Sequence, residues 1–377
     1  MPTSPSFELL LPDLDRLRWD ELQVFPWVQR LADCPQDPIH HAEGNVWIHT
    51  RMVLETLLAM PAFRALPADD RAAVYVACLM HDIAKPATTR VEDDGRVTAK
   101  GHSRAGELMA RRLLWDLGAP FALREAVCGL IRYHQIPFYL VDRDDAQRVA
   151  AEVSLAARCD LLAIVAEADI RGRICADAPR IVDQIELFRE LCREDGCLHG
   201  HRRFASDHTR VVYFRSGSAE GGRHPDVEAF DDTQTEVTVL SGLPGAGKDT
   251  WVREHAGAMA VVSLDAMRTE LDVDPTDTQG QVVQAVRERA KELLRRREPF
   301  VWNATNLSRQ RRGPLLDLLA DYKARVRVVY IEVPAATLFA QNRAREAAVP
   351  VAVIRRMTER WEVPTLAEAH EVVLAVR

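Results

Sequence analysis

The residues Gly242-x4-Gly247-Lys248 carry the densest chemistry in the chain. Glycines free backbone N–H groups to turn toward phosphate oxygens, a helix opening behind them adds a favourable dipole, and a lysine brings a point charge to the outer phosphates. Gly242, Gly245, Gly247, Lys248, Asp249 and Thr250 therefore read as a binding loop for ATP or another nucleoside triphosphate with Mg2+. Asp249 stands where a Ser or Thr hydroxyl usually ligates Mg2+. A carboxylate is also a good Mg2+ ligand. At the end of a later strand, Asn303 stands where an Asp is common, as if the carboxylate had moved from one loop to the other. Between them lies Ser263-Leu-Asp265-Ala-Met-Arg268. An Asp beside a phosphate loop can take the proton of an attacking hydroxyl, a role worth ~10²–10⁴-fold. Arg268, one helical turn on, falls on the same side and suits an acceptor phosphate. Arg343 and Arg345, followed past Pro350 by Arg355 and Arg356, suggest a lid whose planar guanidinium forks grip ATP.

A second set lies upstream: His49, His81, Asp82, His102 and His134, with an acidic residue further on. Imidazole and carboxylate are metal ligands, and adjacent His-Asp at a helix end can give two donors to one ion. Two such ions clamp the attacking and leaving oxygens of a phosphoester and lower the pKa of a bound water, which is hydrolytic chemistry. Imidazole-rich ligation favours Mn2+, Co2+, Ni2+ or Zn2+ over Mg2+.

These two sets need different scaffolds. Residues 1–200 read as nearly all helix, with helical apolar spacing over Asn45–Met60, Arg71–Met80, Ser103–Leu117 and Ala122–Tyr133. Residues 236–377 alternate short β-rich runs, at Val237–Leu240, Ala260–Leu264, Pro299–Trp302 and Arg325–Val333, with amphipathic helical segments. That alternation predicts a parallel sheet covered by helices. Residues 201–235, rich in basic, Gly and Ser residues, read as a connector with a small strand at Val211–Phe214. The fold class is thus an all-α domain followed by an α/β phosphate-loop domain; at 377 residues, two domains is also the expectation from length.

Composition narrows the function. The net charge of −7 argues against broad nucleic-acid binding, though not against a local basic groove that grips one strand end. No apolar run approaches the ~20 residues of a membrane helix, and the start of the chain reads as cytoplasmic, without a signal peptide. The seven cysteines are an odd number with no CxxC pair, which reads as reduced thiols rather than a zinc site.

The motifs GLPGAGKDT, SLDAMR, WNATNLSRQRR and NRAREAAVPVAVIRRM together resemble the polynucleotide kinase branch of P-loop kinases over most of residues 236–377. That resemblance implies that Asp265 activates a 5′-OH, that Arg268 contacts the neighbouring phosphate, and that Lys248 and Arg343 serve ATP, with Arg345 a weaker lid candidate. WIHTRMVLE, CLMHDIAKP, KGHSRAGELMARRLL, RYHQIPF and AEADIRGR resemble the HD phosphohydrolase superfamily. By that resemblance His49, His81, Asp82 and Asp169 bind one metal, with Asp160 as the alternative to Asp169. His102 and His134 bind a second metal or contact the scissile phosphate, and Lys85 and Arg104 hold substrate phosphate. The two halves in this order resemble the bacterial bifunctional HD–polynucleotide kinase end-healing family. The implied activities are removal of 2′,3′-cyclic, 2′- or 3′-phosphate ends from RNA and phosphorylation of 5′-OH ends of RNA or DNA, with a ligase as functional partner. Two alternatives stay open: a small-nucleotide phosphohydrolase joined to a nucleoside or metabolite kinase, and a non-catalytic nucleotide sensor.

Overall fold

The computed structural model describes residues 5–216, 224–274, 277–278, 280–345 and 347–377. The chain divides into two compact units, Met1–Arg203 and Phe204–Arg377.

In the first unit, the helices α1 (Val46–Ala59), α2 (Ala68–Met80), α3 (His102–Asp116), α4 (Phe121–Tyr133), α5 (Cys159–Arg171) and α6 (Ala178–Glu194) build one apolar core. Asn45 caps α1 by accepting the Ile48 N–H at 2.9 Å. Pro67 opens α2, with Asp69 and Asp70 in its first turn complementing the helix dipole. Helix α5 is buried nearly all round, including Leu161, Leu162, Ala163, Ala166 and Ile170, as expected of a central helix with neighbours on every side. It packs on both α1 and α2. A short antiparallel ribbon, Arg90–Val91 with Val97–Thr98, interrupts the otherwise helical unit.

The second unit begins with α7 (Asp207–Arg215). This corrects the expected strand at Val211–Phe214. Four apolar residues specify no period of their own; Ser206 caps the segment by accepting the Thr209 N–H at 3.1 Å, and Asp207 pairs with Arg210 three residues on. The expected connector thus holds a helix, and residues from Phe204 onward pack with the second unit.

Beyond it lie β1 (Thr235–Ser241), α8 (Lys248–His255), β2 (Ala260–Ser263), α9 (Leu264–Glu270), α10 (Gly280–Arg296), β3 (Phe300–Asn303), α11 (Arg309–Asp321), β4 (Ala324–Glu332), α12 (Ala335–Arg343) and β5 (Glu371–Val376). All five strands are parallel, in the order β2-β3-β1-β4-β5. Central β1 is buried at every residue but Glu236, the pattern of a strand covered on both faces. Chain order reverses at β1, so a crevice opens at its carboxyl end, and the phosphate loop leaves the strand there. The edge strand β5 was absent from the sequence expectations; its alternation is weak because it is only half-buried.

Candidate active sites in the two units

Three of the four upstream histidines are oriented by the same device. His81, His102 and His134 each lie at a helix terminus, with Nδ1 2.7–2.8 Å from the carbonyl three residues earlier, on Cys78, Ala99 and Ile131. A carbonyl can only accept, so Nδ1 carries the proton and the Nε2 lone pair faces inward. The inward nitrogens meet across the helices: His81 and His49 at 3.3 Å, His102 and His134 at 3.3 Å. Asp82 lies between the two pairs, with Oδ2 3.2 Å from His81 Nε2 and Oδ1 3.4 Å from His102 Nε2. Asp169, carried in by α5, lies 3.1 Å from His49 Nε2. Asp160 is instead held by Arg158 at 2.7 Å and His199 at 3.0 Å. Two compact donor groups result, His49–His81–Asp82 and Asp82–His102–His134, joined through one carboxylate.

All six side chains are buried. Burial pushes His134 down to about 3, so its imidazole is neutral and free to donate a lone pair. Burial alone would raise the Asp82 and Asp169 carboxyls; the charges facing them, His81 and Lys85 on Asp82 and Arg173 on Asp169, outweigh it and hold both well below the usual range. Asp169 Oδ2 is buried without a hydrogen-bond donor. A donor set of inward-facing imidazole nitrogens, ionised carboxylates and an orphaned oxygen fits divalent metal ions.

Lys85, expected at a substrate phosphate, is buried against the cluster, with Nζ 2.8 Å from Asp82 Oδ2 and 2.6 Å from Gln36 Oε1. Arg104 is exposed on the first turn of α3. Two participants escaped the sequence reading. Arg173 clamps Asp169 Oδ1 at 2.7 Å and lies over the Phe138 ring; the Asp-x3-Arg spacing in AEADIRGR was the available signal. Glu43 lies 3.0 Å from His49 Nδ1 and 2.9 Å from His41 Nδ1. Burial works against its charge, but those two imidazoles hold its carboxyl well below the ordinary value.

In the second unit, β1 runs into the glycine loop and α8. A Cβ at Gly242 would lie 2.5 Å from the Ile331 carbonyl oxygen on β4, so only glycine fits there. Gly245 and Gly247 have φ of +84° and +103°, which side chains rarely adopt. Lys248 Nζ donates to the carbonyls of Gly242 (2.9 Å) and Leu243 (3.0 Å), which holds it over the loop. Burial pushes its ammonium down to about 8, against the opposing pull of the Asp249 and Asp265 carboxylates. Asp265 thus lies within electrostatic reach of the loop lysine. It is strongly exposed and pairs with Arg268, while Ser263 caps α9 by accepting the Ala266 N–H. The two departures from the usual pattern are partners: Asn303 Nδ2 donates to Asp249 Oδ1 at 2.8 Å. Of the arginines expected in a lid, Arg345 lies 4.0 Å from Asp249 Oδ2, whereas Arg343 is exposed at the end of α12. Arg355 stacks over Phe339. Thr250 accepts from Arg253 at 2.9 Å.

Residues 46–171 match the HD domain family and residues 237–364 match an AAA domain family. The chain is an HD domain followed by a P-loop kinase-like domain. The HD unit is helical and the kinase-like unit has the five-stranded parallel sheet. Among known proteins, the chain is similar to the multifunctional CCA protein of Halorhodospira halophila, at 34% identity over 60% of this chain and 49% of that protein. It is also similar to the bifunctional uridylyltransferase/uridylyl-removing enzyme of Nitrobacter winogradskyi, at 37% identity over 31% of this chain and 12% of that one. The chain therefore spans half or less of the length of these relatives. Among solved structures, a Pnkp1/Rnl/Hen1 RNA repair complex is 20% identical with a TM-score of 0.32, covering 38% of this chain and 46% of that one. A gluconokinase from Sinorhizobium meliloti is 19% identical with a TM-score of 0.29, covering 38% and 84%. No helix among the described residues is long and apolar enough to cross a membrane.

Three of the seven thiols, which look dispersed in sequence, also come together in the HD unit: Cys159, Cys192 and Cys197.

Proposed function

We propose that the chain is a bifunctional nucleic-acid end-healing enzyme, acting in the cytoplasm ahead of a ligase. The HD unit removes 2′,3′-cyclic, 2′- or 3′-phosphate ends from RNA, and the kinase-like unit transfers the γ-phosphate of ATP to 5′-OH ends. The observation that carries the reading is the pairing in one chain of two distinct phosphate chemistries. One is a buried histidine–aspartate cluster bridged by Asp82. The other is a loop lysine with a solvent-facing carboxylate in its field.

In the HD unit, His49, His81, Asp82 and Asp169 would hold one ion and Asp82, His102 and His134 a second; bound divalent ions supply Lewis-acid activation of water and phosphoester. The chain's own part is to fix the imidazole tautomers through the i−3 carbonyls and to keep both carboxylates ionised. Arg173 and Glu43 orient Asp169 and His49 from behind. In the kinase-like unit, Lys248 leaves its two loop carbonyls for the ATP phosphates. Asp265, open to solvent, accepts the proton of the incoming 5′-hydroxyl, and Arg268 moves from Asp265 to the adjacent phosphate of the strand. Asp249, braced by Asn303, would hold Mg2+. Both sites recognise strand termini through phosphates and need no base readout.

The test is incubation with ATP, a divalent metal and an RNA bearing a 5′-OH and a 2′,3′-cyclic phosphate. The expected outcome is a 5′-phosphate and a free 3′-end. Phosphorylation of nucleosides or sugars with the RNA left untouched would overturn the reading.

A further inference from the structure

Cys159, Cys192 and Cys197 are each fully buried, form no disulfide, and bring their sulfurs within 4.8 Å of one another. The backbone explains how. Helix α6 ends in a paired clip: Gly196 is left-handed at φ +65°, Cys197 N–H donates to Cys192 O at 2.8 Å, and Gly196 N–H donates to Arg193 O at 3.1 Å. This double bond pattern at a helix end folds the residue after the glycine back over the one five positions earlier. The spacing Cys192-x4-Cys197 is therefore a pair of neighbours in space, although it lacks the familiar two-residue gap. The next residue, Leu198, accepts the Asp160 N–H at 2.9 Å and so ties the clip to the first turn of α5, where Cys159 begins the helix. Helix end, turn and helix start thus hold three thiols together through main-chain bonds.

Such a clip ordinarily closes on two apolar side chains, and a buried cysteine can act as a small hydrophobe. Three sulfurs converging on one point go beyond what apolar contact needs. A separation below 4.8 Å suits sulfurs each ~2.3 Å from one central ion. It is too short for a cluster in which each cysteine ligates a different iron.

We propose that Cys159, Cys192 and Cys197 form a mononuclear three-thiolate zinc site, separate from the histidine–aspartate cluster of the same unit. Each S–Zn bond forms as a thiol proton leaves to solvent, so loading releases protons and no redox partner is needed. His199, the nearest imidazole along the chain, is turned to Asp160 Oδ2 at 3.0 Å and so is not the fourth ligand. The site would staple the end of α6 to the start of α5, and its effect would be on stability rather than on phosphate chemistry.

The test uses the full chain carrying His81→Ala and Asp82→Ala, which dismantles the histidine cluster, loaded with Co2+ as a spectroscopic stand-in for zinc. Thiolate ligation gives an intense near-ultraviolet sulfur-to-cobalt charge-transfer band that imidazole and carboxylate ligands do not produce. The expected result is that band at one equivalent of Co2+, its disappearance on zinc addition, and its loss in Cys197→Ala and in Cys159→Ala. Folding of those variants is not required, because the band in the parent protein decides. Absence of the band, with all three thiols titrating as free, would overturn the proposal. So would a non-reduced mass two hydrogens lighter with two of these cysteines in a disulfide.

Discussion

Asp249 and Asn303 are each anomalous alone and sensible together. A loop that lacks its hydroxyl and a strand end that lacks its acid would leave Mg2+ without a charged ligand. The 2.8 Å bond from Asn303 Nδ2 to Asp249 Oδ1 instead places one carboxylate where both elements meet. Asp249→Ala should therefore raise the Mg2+ concentration needed for half-maximal phosphotransfer by at least tenfold. ATP affinity measured without metal should move little, because Lys248 and the loop amides carry it. Kinetics over a Mg2+ titration, beside nucleotide binding in EDTA, checks this; an unchanged Mg2+ dependence would remove Asp249 from the metal site.

At the scale of elements, two close approaches set the geometry of the sites. A Cβ at Gly172, just past α5, would lie 2.7 Å from the Val53 Cα on α1. That contact lies one turn beyond His49 on one helix and three residues beyond Asp169 on the other, so it sets how near those two side chains come. Gly172→Ala should cost about 1–3 kcal/mol through overpacking. It should lower the melting temperature and phosphohydrolase activity together while leaving the kinase reaction intact. In the second unit, His370 joins β4 to the segment entering β5. Its Nδ1 accepts the Val326 N–H at 3.0 Å, and its Nε2 faces His208 Nδ1 at 3.2 Å. Burial, with Arg325, His208 and Arg210 facing it and Asp231 opposing, pushes it down to about 4. The unfolded chain then binds more protons than the folded one between about 6.5 and 4. Stability is lost as pH falls through that window, by up to about 3 kcal/mol. As pH falls from ~6.5 to ~4, melting curves should show the protein losing stability relative to His370→Gln, which has no titrating group at this position. A pH-independent gap would show that His370 takes up its proton equally in the folded and unfolded chain and would overturn this reading.

For the whole molecule, the division into two units with separate donor sets predicts separable activities. Asp265→Ala should abolish 5′-phosphorylation and leave removal of terminal phosphates unchanged. His81→Ala should do the reverse. Parallel assays of both ends of one RNA read out the pair, and loss of both activities from either substitution in a folded protein would contradict two independent centres.

The sequence by itself determined most of the elements and most of the reactive groups. The glycine loop, the His-Asp dipeptide and the spaced histidines are local patterns whose chemistry follows from residue type, and the periods of 3.6 and 2 separated a helical half from an α/β half. Tertiary structure decided whatever depends on residues distant in sequence meeting. It placed Asp169 rather than Asp160 beside His49 and buried Lys85 against Asp82. It brought Arg173 to Asp169 and Glu43 to His49, made a helix of Val211–Phe214, and joined Asn303 to Asp249. It also gathered Cys159 with Cys192 and Cys197. The physical reason is common to all of these: a side chain's type is carried by its own residue, but its partner is chosen by how helices and strands pack to bury their apolar faces.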